Sequence, residues 1–198
     1  MTYAREPLFF KENKGDIMFK VPLEEDLYLH LIERHHASEL FAAVHHSRYY
    51  LRRWLPWVDA MKSVHDYPPV IDAWLQQYAE GRGFQAGIRK DGALVGVIGL
   101  HDIDWGNRRT SLGYWLSEHY TGQGIMTKAT QAVLSIVFDE YQLNRVQIQC
   151  GVNNYESQAI PKRLEFRFEG IVRDGEWLYD HYHDLVQFSL LREDWQQR

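Results

Sequence analysis

Residues 121 to 127 read Thr-Gly-Gln-Gly-Ile-Met-Thr, and they lie between two patterns of different period. Before them, Ser111 to Leu116 (SLGYWL) has the composition of a strand. After them, Ala129, Ala132, Val133, Ile136 and Val137 recur at three- and four-residue steps, the spacing of one helix face. A strand that turns tightly into a helix leaves the first N–H groups of that helix without partners, and the helix dipole adds positive potential there. Gly122 and Gly124 carry no Cβ, so a bulky anion can come close to the main chain. Together these features offer a site for a phosphate or pyrophosphate. Two familiar nucleotide loops do not fit: no Gly-Lys-Ser/Thr triplet follows, and position 127 is Thr where G-x-G-x-x-G needs glycine. A tight turn without any ligand is the competing reading of the loop taken alone.

Other reactive residues are sparse. The single cysteine, Cys150, excludes an internal disulfide and a thiol-rich metal site, and suits a reducing compartment. The histidines come as His35-His36, His45-His46 and His181-x-His183, and the last spacing sets two rings on one face of a strand. Neither cysteine partners nor a His-Glu-x-x-His helix accompanies them, so no metal is expected. Arg48, Arg52 and Arg53 beside Trp54 and Trp57 have the make-up of a nucleic-acid patch. The formal net charge of -5 argues against that reading and for an amphipathic helix with a solvated basic face, which still suits an acidic protein substrate.

The elements that must position these residues fit one domain over residues 1–198, with 1–26 as an N-terminal extension and strand. Met1 to Phe10 lacks the apolar centre of a signal peptide, and no apolar run approaches the ~20 residues that span a bilayer. Residues 16–21 and 27–32 read as strands, with Pro22 and Glu24 to Asp26 as the turn between them. Residues 38–44 are helical, and a second helical region through Tyr50, Leu51 and Trp54 stops at Pro56. Pro68 and Pro69 open a helix with Ile71, Trp74, Leu75 and Tyr78 on one face. Residues 84–89 and 94–100 form a hairpin around Lys90-Asp91-Gly92. Asn107 starts the next turn, before Ser111 to Leu116. Val146, Ile148 and Cys150 alternate as a strand, 155–164 is a short helix, and 166–172 and 185–190 are closing strands. The fold class is α/β (mixed α+β), a mixed sheet with helices on both faces.

The loop and its surroundings resemble the GNAT superfamily of N-acetyltransferases. Tyr-x-Gly-x-Gly-Ile-x-Thr after Gly-Tyr-Trp-Leu is similar to that family's acetyl-CoA pyrophosphate loop, with departures at Thr121 and Met126. Asn154-x-x-Ser157, followed by Ile160 and then Glu165-Phe166, is similar to its Asn-x-x-Ser block, with Glu165 where glycine is usual. Leu51-x-x-Trp54-Leu55-Pro56-Trp57 and His183-Asp184-Leu185-Val186 resemble the RimL-like branch, the ribosomal-protein acetyltransferases. The resemblance covers roughly residues 27 to 195.

It implies a central mixed, mostly antiparallel sheet splayed between its fourth and fifth strands, with acetyl-CoA in the cleft. Trp115 and Leu116 would pair with the pantetheine arm. Gly122, Gln123, Gly124, Ile125, Met126 and Thr127 would hold the pyrophosphate, with Asn153, Asn154 and Arg163 completing the cofactor side. The implied reaction is acetyl transfer to a primary amine, foremost the N-terminal α-amine of a ribosomal protein. Such an amine has a reference pKa near 8, against ~10.4 for lysine, and so loses its proton more readily. Direct attack in a ternary complex is expected, because Cys150 is the only thiol and reads as a small apolar residue on an inward strand face. By position in the branch, Ser157 would stabilise the departing thiolate and Glu176 would deprotonate the amine. Many relatives carry a base just before the Gly-Tyr-Trp-Leu strand, where this chain has Ser111. Without the resemblance, Glu176 reads as a surface carboxylate in a loop beside Gly175. A homodimer in the cytoplasm is implied, with no nucleic acid, membrane or metal. Two alternatives share the fold: acetylation of a small amine such as a polyamine or aminoglycoside, and a non-catalytic acetyl-CoA-binding regulator.

Overall fold

The structure, a computed structural model, describes residues 20–198. Its centre is one eight-stranded sheet. In chain order, β1 (Lys20–Glu24) and β2 (Leu27–Leu31) form a hairpin. Three helices follow, α1 (Ala37–His46), α2 (Arg48–Arg52) and α3 (Tyr67–Ala79). Next come β3 (Gln85–Lys90), β4 (Ala93–Asp104) and β5 (Arg109–Leu116), paired as an antiparallel meander. Helix α4 (Ile125–Ser135) continues as one π-helical stretch, Ile136–Glu140. The chain closes with β6 (Arg145–Gly151), α5 (Tyr155–Arg163), β7 (Arg167–Leu178), β8 (His181–Leu191) and α6 (Arg192–Gln196). The spatial order is β1-β2-β3-β4-β5-β6-β8-β7, and β5–β6 is the one parallel pair among the described strands.

Apolar residues fall on both faces of the sheet, so each face needs a helical cover. On one face the stripe of α4 and its π-helical continuation, with Ala129, Val133 and Val137, packs with Ile98, Leu112, Val146 and Ile148. On the other, Leu40, Val44, Leu51 and Ile71 of α1 to α3 pack with Leu94 and Val97. Fully burying one such aliphatic side chain contributes roughly 1.5–3 kcal/mol. Strand β4 feeds both cores, which makes it the mechanical centre of the fold.

Several sequence expectations shift. Of the strand expected at 16–21, residues 16–19 lie outside the described residues, as do Met1 to Phe10. The described strand runs through Pro22 to Glu24, leaving only Glu25 and Asp26 for the turn. Pro22 is tolerated because β1 is an edge strand with one row of backbone groups unpaired. Tyr78, expected on the buried face of α3, is 37% exposed. The splay lies between the fifth and sixth strands, one later than the resemblance implied, because β1 adds a strand before β2. The closing hairpin is also longer than expected: β7 runs to Leu178 and β8 starts at His181, so Glu176 lies on a strand, not in a loop.

Candidate active site

Strands β5 and β6 pair only at Arg109↔Arg145, Thr110↔Val146 and Ser111↔Gln147. From Leu112 to Leu116, β5 has no register partner on that side among the described residues, and the sheet opens. One cavity of about 700 Å³ lies against the loop before α4 and against α5. A second, of about 590 Å³, lies against residues 54–57 after α2, against α3, and against Glu176 and Leu185 of the β7–β8 pair. Both are lined by Trp54, Leu55, Tyr114, Trp115, Asn154 and Ser157, so the two cavities meet at the gap.

The first cavity has the make-up of an anion cradle. Gly122 and Gly124 have φ of 74° and 75°, a left-handed conformation that disfavours residues with a Cβ. Among the described residues, a Cβ built on either would meet nothing within 4 Å, so the space beside the backbone is open there. Gly124 is the N-cap of α4, and the first helical bond runs from Lys128 N–H to Gly124 C=O at 3.1 Å. The preceding amides therefore point outward into the positive end of the helix dipole. Arg163 at the end of α5 donates to Thr127 Oγ1 at 2.8 Å and adds a cation to the rim. Main-chain donors, a guanidinium and open space fit a pyrophosphate.

Of the cofactor-side candidates, Trp115, Leu116, Gly122, Gly124, Ile125, Met126, Thr127, Asn154 and Arg163 line this cavity. Gln123 and Asn153 are not among the lining residues; Gln123 folds back so that its Nε2 donates to His119 C=O at 3.1 Å. Met126 is buried in the main core as well as lining the cavity. Glu165 has φ of 52°, so the chain keeps there the left-handed geometry for which glycine is usual.

At the gap, Asn154 caps α5 by accepting from Ser157 N–H at 3.1 Å. This fixes Ser157 on the first turn, with its hydroxyl donating to Cys150 Sγ at 3.2 Å. The Tyr114 hydroxyl donates to Ser157 C=O at 2.9 Å. Burial pushes the Tyr114 phenol well above its usual range, and the neighbouring Cys150 sulfur adds to the shift. Burial also raises the Cys150 thiol. That group stays protonated at neutral pH and is a poor nucleophile. Cys150 is buried on its strand as expected, yet it also lines the second cavity and holds the Ser157 hydroxyl.

The second cavity is walled by Trp57, Met61, Tyr67, Val70 and Trp74, with Ser111, His101, Gln149 and Glu176 among its polar points. Glu176 is its only carboxylate among the described residues and pairs with His183, Nε2 to Oε2 2.9 Å. The hairpin tip is fastened to the α2 side, because Tyr179 Oη donates to Leu55 C=O at 2.6 Å. The arginines near Trp54 are internal staples. Arg48 donates to the carbonyls of Val58 and Met61, Arg52 pairs with Asp59 and lies over Tyr179, and Arg53 lies over Tyr50.

Sequence reasoning missed several lining residues. Tyr50 Oη donates to Glu156 Oε2 at 2.7 Å and joins α2 to α5 across the first cavity. Trp54, already part of the Leu51-x-x-Trp54-Leu55-Pro56-Trp57 resemblance, lines both cavities. The alternation of β5 marks Tyr114 as inward, but only the departure of β6 turns that core position into a site.

Residues 26–167 match the family model described as an acetyltransferase (GNAT) domain. The chain is 36% identical over 180 residues to YdaF, a candidate ribosomal N-acetyltransferase of Bacillus subtilis (strain 168), covering 90% of this chain and 98% of that protein. It is 29% identical over 169 residues to the ribosomal-protein-serine acetyltransferase of Escherichia coli (strain K12), covering 85% and 94% of the two chains. Its fold is similar to that of RimL, the ribosomal L7/L12 α-N-protein acetyltransferase, solved with coenzyme A in disulfide linkage to a cysteine of that protein. The TM-score is 0.84, at 25% identity over 88% of this chain and 99% of that one.

Proposed function

The chain belongs to the GNAT acetyltransferase family, and from that membership we propose that it moves the acetyl group of acetyl-CoA onto the N-terminal α-amine of a protein, a ribosomal protein foremost. One observation carries this reading: two cavities meet at the gap in the sheet and share Ser157, while Glu176 lines only the second. Two substrates can then meet at one point without an enzyme-bound intermediate.

Bound acetyl-CoA supplies a thioester, an acyl group already activated toward an amine. The amides from Gly122 to Thr127, with Arg163, hold the pyrophosphate. The unpaired edge of β5 at Trp115 and Leu116 is open to the amides of the pantetheine arm. The amine enters the second cavity, where aromatic walls exclude water and Glu176 takes a proton from the ammonium. The Ser157 hydroxyl is placed to donate to the departing thiolate. The buried, protonated Cys150 argues against an acyl-enzyme. The named relatives that act on ribosomal proteins support a protein acceptor.

A two-fold dimer and a cytoplasmic location belong to the same reading. Phe168, Ile171, Trp177 and Tyr182 are exposed on β7 and β8, the outer pair of the sheet, and offer an apolar surface. A monomer mass in solution at micromolar concentration would remove the dimer from it.

The test is a thioester-consumption assay with acetyl-CoA and synthetic peptides bearing free N-terminal serine, alanine or methionine, run beside polyamines and an aminoglycoside. Mass spectrometry locates the added acetyl group. Turnover of peptides with acetylation at the α-amine is expected, reduced in Ser157→Ala. Turnover of the small amines alone would overturn the protein acceptor. Tight acetyl-CoA binding with no turnover of any acceptor would favour a regulator.

A further inference from the structure

His183 has no part in the roles assigned so far. It faces Glu176 across the hairpin: the two residues are register partners between β7 and β8, with Nε2 and Oε2 2.9 Å apart. They differ in what they reach. Glu176 is among the residues lining the second cavity, and His183 is not. The His183 side chain is only 13% exposed. Its ring lies over Gly151 of β6, where a Cβ would meet Cε1 at 3.2 Å and Nδ1 at 3.4 Å. The glycine thus leaves a shallow seat in the sheet, and the ring fills it.

The geometry points to His183 as a positioning residue that acts through Glu176. Its Nε2–H donates to Oε2, which fixes the carboxylate rotamer. Oε1 is left to take the proton of the incoming ammonium. That proton passes from nitrogen to Oε1 and on to solvent before the next turnover, while the Nε2–H stays in place. A base held by a second group is a recurring arrangement, and a small misplacement of such a base can cost about 10²-fold in rate. The inference rests on the reading of Glu176 as the base.

The experiment uses the full chain, acetyl-CoA and a synthetic peptide with a free N-terminal serine. His183→Leu keeps the bulk and removes the donor; His183→Gln restores an amide N–H near the position of Nε2. His183→Leu is expected to lower kcat by roughly 10- to 10²-fold with an unchanged KM for acetyl-CoA, and His183→Gln to recover most of the loss. In a Glu176→Gln background, His183→Leu should change kcat by no more than about twofold, because the two residues act as one unit. Independently of turnover, ring ¹⁵N shifts of the wild-type protein should show His183 as the Nε2–H tautomer. Wild-type kcat in His183→Leu, equal losses in the Leu and Gln variants, or the Nδ1–H tautomer would each overturn the proposal. Equal losses would instead assign His183 to packing against Gly151. Full activity in Glu176→Gln would remove the base assignment and this inference together. An inactive Glu176→Gln beside an unaffected His183→Leu would remove only this inference.

Discussion

Ser111 and Gln147 form the last register pair between β5 and β6, and beyond them the two strands share none. Ser111 therefore marks the point where the sheet parts, and its side chain lines the same cavity as Glu176. A serine cannot act as a base at neutral pH, which leaves Glu176 as the one carboxylate of that wall among the described residues.

Glu176→Gln should lower kcat by about 10²-fold or more, the usual scale for lost general-base help. The deficit should shrink at high pH, where more of the amine is already neutral. Adding Ser111→Glu should return part of the lost rate, because it restores a carboxylate to the same cavity. A pH–rate profile of both variants at saturating acetyl-CoA checks this. A double variant no faster than Glu176→Gln, or a single variant as fast as wild type, would count against the assignment.

Gly124→Asp should remove the rise in Tm that acetyl-CoA gives the wild-type protein. The substitution puts a carboxylate into the open space beside the amides and strains a residue at φ of 75°. Thermal melts with and without the ligand measure it. The same ligand-induced shift in both proteins would mean that the pyrophosphate sits elsewhere.

Stability should fall in acid through His30. The residue is 1% exposed, its Nε2 has no hydrogen-bond partner among the described residues, and its Nδ1 is 2.9 Å from Leu31 C=O. Burial foremost, then the charges of His36 and Arg89, lower its pKa from 6.5 to about 4. The folded value is the lower one, so between about 6.5 and 4 the unfolded chain binds the proton and the folded chain does not. Stability is therefore retained above that window and lost as pH falls through it, by up to about 3 kcal/mol at roughly 1.4 kcal/mol per unit. Urea unfolding from pH 7.5 to 4.5 should show a shallower decline in His30→Leu. Parallel curves for the two proteins would refute the assignment.

Glu165→Gly should stabilise the fold by roughly 0.5–1 kcal/mol. Glu165 holds a left-handed φ of 52° just beyond α5, a conformation that costs a side chain more than it costs glycine. Glycine gives back part of that gain through a freer unfolded chain. The Glu165 carboxylate is 77% exposed and 3.7 Å from Arg198, so little is lost with it. A higher urea midpoint at unchanged slope is the expected result, and a lower one contradicts it.

The local signals were legible in the sequence. Asp91 and Gly92 have φ of 50° and 79°, the two left-handed residues that the Lys90-Asp91-Gly92 hairpin calls for. The glycine loop before α4 was equally clear, because a strand, a turn and a helix follow one another without interruption. Residues 173 to 184 were not legible. Arg173, Asp174 and Gly175 have the composition of a loop, and β7 is exposed along most of its length, so no apolar alternation announces it. Its pairing is dictated by β8, and that tertiary contact overrides local preference. The second cavity draws on Trp57, Ser111, Gln149 and Glu176, residues from four separate stretches of chain. No window of sequence contains that wall, and only the resemblance pointed to Glu176.

The two cavities differ in how they can be inherited. By the proposed assignment the first holds its ligand through main-chain amides at Gly122 to Thr127 and an unpaired strand edge, and a point mutation cannot delete a backbone N–H unless it introduces proline. The second is built from side chains, chiefly the aromatic rings of Trp57, Tyr67 and Trp74, and each can be exchanged by one codon. Drift should therefore alter what is modified long before it alters what donates the group. A lineage carrying this scaffold can change targets while its donor chemistry stays fixed, with the seam at Ser157 as the border between the part free to vary and the part that is not.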